Sequence, residues 1–277
     1  MPTGEALRHG SVAVKSAALR NLTDRTLVST GDEAGILRLL ERNAAGDWSE
    51  RCELNAGVGA IGNMVISADG SLIGVAGSSE RAALIAIDDK QCGAPLYLIG
   101  HTERLYSIDI TPDGTQILTS SLDKTARVWT RDGEPRAVLT GHQDRIYRAI
   151  FSPGDARWIL SASRDGSMRL WRTPQAGAPR SAADGVESLS AFLPLKADLG
   201  GVANAAFSPD GHLIAGAYWD NAAQLWRIWS EDESAPPERI QRWGEDRARL
   251  ALIGEAYRFQ ANNRVDSDDA MAQAEMP

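Results

Sequence analysis

Short stretches in which apolar and polar residues alternate recur along this chain. They are broken at close intervals by glycine, proline, serine and aspartate. YSIDITPDGTQILTSSLDKTARVW and YRAIFSPGDARWILSASRDGSMRLW show the pattern most clearly. Alternation with a period of two predicts half-buried β-strands, and the polar clusters between them predict tight turns. The chain therefore reads as all-β, built from many short strands.

The pattern repeats. Gly100-His101 returns as Gly141-His142 at a period of roughly 40 residues, and Trp129 returns as Trp171 at the same period. A third copy, AAFSPDGHLIAGAYWDNAAQLW, ends at Trp226. In each copy an aspartate (Asp123, Asp165, Asp220) precedes the tryptophan by the same interval. Two weaker copies lie upstream. MVISADGSLIGVAGSSERAALI has Ser79 and Ile85 at the aspartate and tryptophan positions, and LVSTGDEAGILRLL has Ala34 and Leu40 there.

This register resembles the WD-repeat family, whose units of about 40–45 residues each form a four-stranded blade of a β-propeller. The resemblance implies one propeller domain over residues 1–277, with clear blades in 96–229 and weak blades in 10–95. Residues 230–277 form a degenerate blade or a tail. Five blades are recognisable. Six result if the degenerate last blade is closed by an N-terminal strand near residues 4–8, which would leave no open sheet edge. The alternative is an incomplete ring of five with a helical or disordered tail. The stretch from Trp171 to Gly200 reads as a long surface loop.

The resemblance also gives roles to the signature residues. His101, Asp123 and Trp129, with Thr119 or Ser121, would form a hydrogen-bonded network inside one blade. His142, Asp165 and Trp171, with Ser161 or Ser163, would do so in the next. Asp220 and Trp226 remain in the fifth blade, where Gly200-Gly201 stands for Gly-His and Gly216 and Tyr218 replace the hydroxyls. A buried indole N–H and a buried carboxylate both need partners. Repetition at blade spacing separates this set from a single catalytic triad.

Family members bind partners on the top face. The matching positions are Arg104, Tyr106, Leu122, Arg145, Tyr147, Arg164, Ala203 and Trp219, with Glu33, Ala60, Gly62 and Ser78 in the weak blades. Arginine, tyrosine and tryptophan are the types enriched at binding hot spots.

Composition narrows the function further. The net charge of −8 disfavours a phosphate backbone as partner. No stretch approaches the roughly 18 apolar residues that span a bilayer, and MPTGEALRHG has no apolar core of a secretory signal. Cys52 and Cys92 suggest neither a zinc site nor a disulfide framework and are expected to be ordinary strand or loop residues. No metal or cofactor is expected, and no phosphate-loop, zincin or nucleophile-elbow motif occurs. The expectation is a cytoplasmic, non-catalytic scaffold that binds a protein or peptide segment, acidic or phosphorylated, on its top face. The alternative is a sensory or regulatory module of a larger nucleotide-switch or kinase signalling protein.

Overall fold

A computed structural model describes residues 12–88, 91–175, 186–196, 199–228 and the backbone of 238–243. The described residues form five antiparallel blades and no helix. Blade one comprises β1 (Val14–Asn21), β2 (Thr26–Asp32), β3 (Ile36–Arg42) and β4 (Trp48–Asn55). Blade two comprises β5 (Ile61–Ile66), β6 (Leu72–Gly77), β7 (Arg81–Ala86) and β8 (Leu96–Ile99). Blade three holds β9 (Leu105–Ile110), β10 (Gln116–Ser121), β11 (Ala126–Thr130) and β12 (Pro135–Leu139). Blade four holds β13 (Ile146–Phe151), β14 (Trp158–Ser163) and β15 (Ser167–Arg172). After β15 the chain forms β16 (Glu187–Leu189) and β17 (Leu193–Lys196). Blade five is β18 (Val202–Phe207), β19 (Leu213–Tyr218), β20 (Ala223–Arg227) and β21 (Glu238–Trp243).

The stretch from Trp171 to Gly200 is therefore not simply a loop. Its β17 pairs with β15 as the outer strand of blade four, while β16 reaches back and pairs parallel with β12. Blade three thereby gains a fifth strand, and the outer edge of β12 is covered. An exposed row of unpaired backbone groups is a template for unwanted pairing, and a covering strand removes it. The closing strand near residues 4–8, and a sixth blade formed by residues beyond Trp243, lie outside the described residues.

Each blade is apolar on both faces, so the core is a series of seams between neighbouring blades. Leu27, Leu37 and Leu39 of blade one meet Ile61, Ile73 and Ile85 of blade two. Leu84 and Leu98 meet Ile108, Ile110 and Trp129 across the next seam. Leu118 and Val128 then meet Phe151, Ile159 and Trp171. Leu160, Met168 and Leu170 meet Val202, Phe207 and Ile214, with Ile150 and Trp226 packed against them. Each fully buried aliphatic side chain contributes about 1.5–3 kcal/mol before the entropic cost of ordering.

The innermost strand of every blade is a sheet edge, and its backbone groups need partners. Side chains from the preceding blade supply several. Asn63 Oδ1 accepts from the Ile108 N–H at 3.0 Å, and Ser107 Oγ accepts from the Ala149 N–H at 3.0 Å. Asp109 Oδ2 accepts from the Phe151 N–H at 2.8 Å. Arg20 Nη2 donates to the Ile66 carbonyl at 2.9 Å. Burial pushes the Asp109 carboxyl above its ordinary range, and the charge of Arg148 and the Phe151 N–H pull it back.

The cysteines are not the independent strand or loop residues expected. Cys52 on β4 and Cys92, in the connection from β7 to β8, form a disulfide between blades one and two. Forty residues separate them in sequence, and only the folded seam brings them together.

Candidate protein-interaction face

Glycine-histidine and the aspartate turns mark one end of the blades, the top. The Ser/Thr-Pro turns mark the bottom. At the bottom of blade three, Thr111 Oγ1 accepts from the Gln116 N–H at 3.0 Å, and Asp113 Oδ1 accepts from the Thr115 N–H at 3.0 Å. Serine takes the threonine's place in blades two, four and five: Ser67, Ser152 and Ser208 accept from Leu72, Trp158 and Leu213. Those turns set the lengths of the inner hairpins and so fix where the top-face residues emerge.

The top of blade three is organised by a chain of hydrogen bonds. The Trp129 indole N–H donates to Thr119 Oγ1 at 2.9 Å. Thr119 Oγ1 lies 2.9 Å from His101 Nε2, and His101 Nδ1 lies 2.7 Å from Asp123 Oδ2. An ionised carboxylate only accepts, so Asp123 takes the Nδ1 proton and the Thr119 hydroxyl donates to Nε2. The imidazole then carries its proton on Nδ1 and donates it to the carboxylate. Blade four repeats the chain: Trp171 to Ser161 at 2.9 Å, Ser161 to His142 at 2.7 Å, and His142 to Asp165 at 2.8 Å.

Burial pushes both histidines below their usual value, against the pull of their aspartates, so the neutral ring is favoured. Burial opposes ionisation of Asp123 and Asp165. The hydrogen bonds from His101 and Thr125 in one blade, and from His142 and Ser167 in the other, outweigh it and hold both carboxyls well below the carboxylate range.

Of the two hydroxyl candidates in each blade, the linking group is Thr119 or Ser161. Ser121 and Ser163 sit one turn of the alternation away and do not bridge histidine to tryptophan. Ser121 Oγ donates to the Arg104 carbonyl at 2.9 Å and accepts from the Asp123 N–H at 3.1 Å. Ser163 Oγ donates to the Asp144 carbonyl at 3.0 Å and accepts from the Asp165 N–H at 3.1 Å. These serines tie the aspartate turn to the segment bearing the top-face arginines.

A backbone hydrogen bond then repeats in all five blades. Leu122 N–H donates to the Arg104 carbonyl, Arg164 to Arg145 and Trp219 to Gly201, each at 3.0 Å. Ser78 to Ala60 and Glu33 to Ala13 complete the set. This repetition corrects the alignment of blade five. Gly201 stands where Arg104 and Arg145 stand, not at the histidine of Gly-His. A Cβ on Gly201 would come within 3.0 Å of the Arg164 backbone and 3.1 Å of Trp219 Cδ1. Glycine leaves the space into which Trp219 lies.

The same top-face positions differ sharply around the described arc. Blade one carries a Lys15–Glu33 ion pair at 2.5 Å, and blade two has only Ala60, Gly62 and Ser78. Across blades three to five an aromatic string runs continuously. Tyr106 meets Tyr147 edge-on at 5.1 Å between ring centroids, and Tyr147 meets Trp219 at 5.8 Å. The Arg104 guanidinium lies 4.7 Å from the Tyr106 centroid and that of Arg145 lies 6.0 Å from Tyr147. Arg145 Nη1 donates to the Tyr106 hydroxyl at 3.1 Å. Asp144 sits between Arg145 and Arg164, at 3.9 and 3.8 Å. Leu122 is half-buried beside Arg104, and Ala203 occupies the tyrosine position of blade five.

In blade five Gly216 replaces the linking hydroxyl, and Tyr218 takes the position of Ser121 and Ser163. Tyr218 lies against Trp226. Burial raises its phenol to about 12, and the Trp226 indole pulls the other way. Asp220 is exposed.

Among the described residues no group of histidine, cysteine, aspartate and glutamate could hold a metal ion. Among the described residues no helix is long and apolar enough to cross a membrane, a criterion that does not bear on β-barrels.

The model of the WD domain, G-beta repeat, matches residues 93–130, 133–172 and 194–227, which are blades three, four and five with their approaches. Residues 93–227 carry WD repeats, and the described blades have the WD-type β-propeller fold. Blade one and the first three strands of blade two lie outside the matched residues, consistent with their loss of the histidine, aspartate and tryptophan. Mouse (Mus musculus) Coronin-7 is 35% identical over 92 residues, covering 32% of this chain and 10% of the relative. Human (Homo sapiens) WD repeat and SOCS box-containing protein 1 is 42% identical over 79 residues, covering 27% of this chain and 18% of the relative. The chain thus matches only between a tenth and a fifth of these relatives' length. A crystal structure of the WD40 β-propeller domain of Doa1 superposes with a TM-score of 0.63 at 16% identity, over 86% of this chain and 70% of that one. WD propellers generally mediate protein–protein interaction without catalysis.

Proposed function

We propose that this propeller is a non-catalytic scaffold that docks a protein or peptide segment on the top of blades three to five. The carrying observation is the continuous string Arg104–Tyr106–Tyr147–Trp219 with Arg145 and Arg164 beside it. Tyrosine and tryptophan give large contact area at low entropic cost, and arginine adds directional donors. The segment is acidic or phosphorylated. Asp144 lies 3.9 Å from Arg145 Nε and 3.8 Å from Arg164 Nε, beyond hydrogen-bond distance. An incoming carboxylate or phosphate makes shorter, bidentate contacts in its place.

The test is binding to an immobilised peptide array in matched acidic, phosphorylated and neutral forms, followed by titration of the best binder at two ionic strengths. Arg145→Ala is expected to weaken binding by about 1–2 kcal/mol, and added salt is expected to weaken it further. Equal binding of neutral peptides, or indifference to both salt and the substitution, places the interaction elsewhere.

A further inference from the structure

We propose that Cys52 and Cys92 form a reversible oxidation site that clamps the seam between blades one and two. They are the chain's only two cysteines. Their Cα atoms lie 6.0 Å apart, within the range that a disulfide spans without backbone movement. Both are half-buried at the outer part of the seam, within reach of a small thiol. Propeller blades pack tightly at their inner strands and diverge outward, so a covalent tie at the outer strands acts where apolar packing is thinnest. Beside it, Arg51 of β4 pairs with Glu41 at 3.6 Å and donates to the Asp88 carbonyl of blade two at 2.9 Å.

The location matters because blade one depends on this seam. Its opposite face leaves Val14 44% and Leu19 60% exposed among the described residues. Neither blade one nor blade two has the histidine–hydroxyl–aspartate–tryptophan chain. A crosslink closing a loop of this length restricts how far blade one can open from blade two. Persistent disulfides are rare in the cytoplasm, where paired thiols that do oxidise usually sense redox state. A cytoplasmic propeller with such a pair gains a reversible clamp.

The chemistry is thiol–disulfide exchange with a low-molecular-weight disulfide as oxidant. One cysteine thiolate attacks a sulfur of the oxidant, forming a mixed disulfide and releasing one thiolate. The second cysteine thiolate attacks the first cysteine's sulfur, closing the Cys52–Cys92 bond and releasing the second thiol. The protein loses two protons and two electrons, and the oxidant becomes two thiols.

The experiment takes the full chain, equilibrates it with oxidised glutathione or with dithiothreitol, counts alkylatable thiols by mass, and follows amide hydrogen exchange by segment. The oxidised protein is expected to show no alkylatable thiol. On reduction, exchange in β2 and β3 should accelerate on the order of tenfold to a hundredfold, while β10 and β14 keep their protection. Cys52→Ala and Cys92→Ala should each reproduce the reduced pattern and remove the response to dithiothreitol. Two free thiols or glutathione adducts after oxidation, or identical exchange in β2 and β3 in both states, overturn the proposal.

Discussion

Blades three and four hold their top turns by one continuous hydrogen-bond chain each, whereas blade five keeps the aspartate and tryptophan but has lost the link between them. The two ways of building a blade differ at two positions, the histidine and the hydroxyl that joins it to the tryptophan, and blade five has neither. Thr119 and Ser161 each join an indole to an imidazole, while Gly216 at the same place offers no hydroxyl. Blade five instead fills the space with apolar contact: the Met168 side chain of blade four would lie 2.8 Å from a Cβ on Gly216. The signature residues thus act as a set. With the histidine and the central hydroxyl both gone, Asp220 is an exposed surface residue and Trp226 a packing residue.

The largest way to break this contrast is Trp171→Ala. Trp171 is fully buried in the seam of blades three and four and also donates to Ser161. Its loss should cost about 3–5 kcal/mol, read by denaturant unfolding, and a cost below about 1 kcal/mol would show that the seam does not depend on it. Gly216→Ser sharpens the comparison by returning the hydroxyl. It should fail to restore the link, because blade five has no histidine to join and the new Cβ displaces the fully buried Met168, and it should destabilise by about 1–3 kcal/mol. A stabilised variant would mean that blade five retains the geometry of its neighbours.

Acid titration gives a smaller effect with a defined sign. Burial holds His101 and His142 below the usual histidine value, so the unfolded chain takes up protons first. Stability from the neutral rings is complete above the unfolded value of about 6.5, begins to be lost as pH falls through that value, and goes on falling until pH passes the lower folded value. The loss from pH 7 to pH 6 should be under about 1 kcal/mol per histidine. Asp123 and Asp165 add a second loss that begins below about pH 4. Thermal unfolding across this range checks both, and stability that rises on acidification between pH 7 and 6 would contradict the neutral assignment.

Much of this was legible in the sequence, for identifiable reasons. ILTSS and WILSAS read as strands because they are short runs of apolar and small residues bounded by turns, and both are buried along their whole length between neighbouring blades; the Gly-His, aspartate and tryptophan register marks blades. Ser121 was a candidate for the linking hydroxyl because spacing alone does not say which of two neighbouring hydroxyls points inward. The two lie on the same side of the pleat, and position along the strand decides: Thr119 pairs with Arg127 in the centre of the hairpin, beside the indole, while Ser121 lies at the strand end. β16 and β17 were hidden because a strand of three or four residues carries too little alternation to stand out from a loop. The Cys52–Cys92 bond was hidden because the contact crosses between blades.

On the top face, the arginine and tyrosine positions were readable from the repeated Arg-Leu-Tyr and Arg-Ile-Tyr. The role of Gly201 was not, since it depends on where Trp219 folds. Asp144 had a signal in GHQDRIY, one residue before Arg145, although its position between two arginines requires the turn geometry.

The most direct test of the account compares Asp165→Ala with Asp220→Ala in the same chain by urea unfolding. The two aspartates occupy equivalent positions in consecutive blades, one inside an intact chain of hydrogen bonds and the other outside it. Asp165→Ala should cost about 1–3 kcal/mol, because His142 and the Gln143 and Ser167 N–H groups lose their acceptor. Asp220→Ala should stay within about 0.5 kcal/mol of the parent. Equal costs, or a larger cost at Asp220, would contradict the claim that the connected network, rather than the aspartate alone, holds the blade.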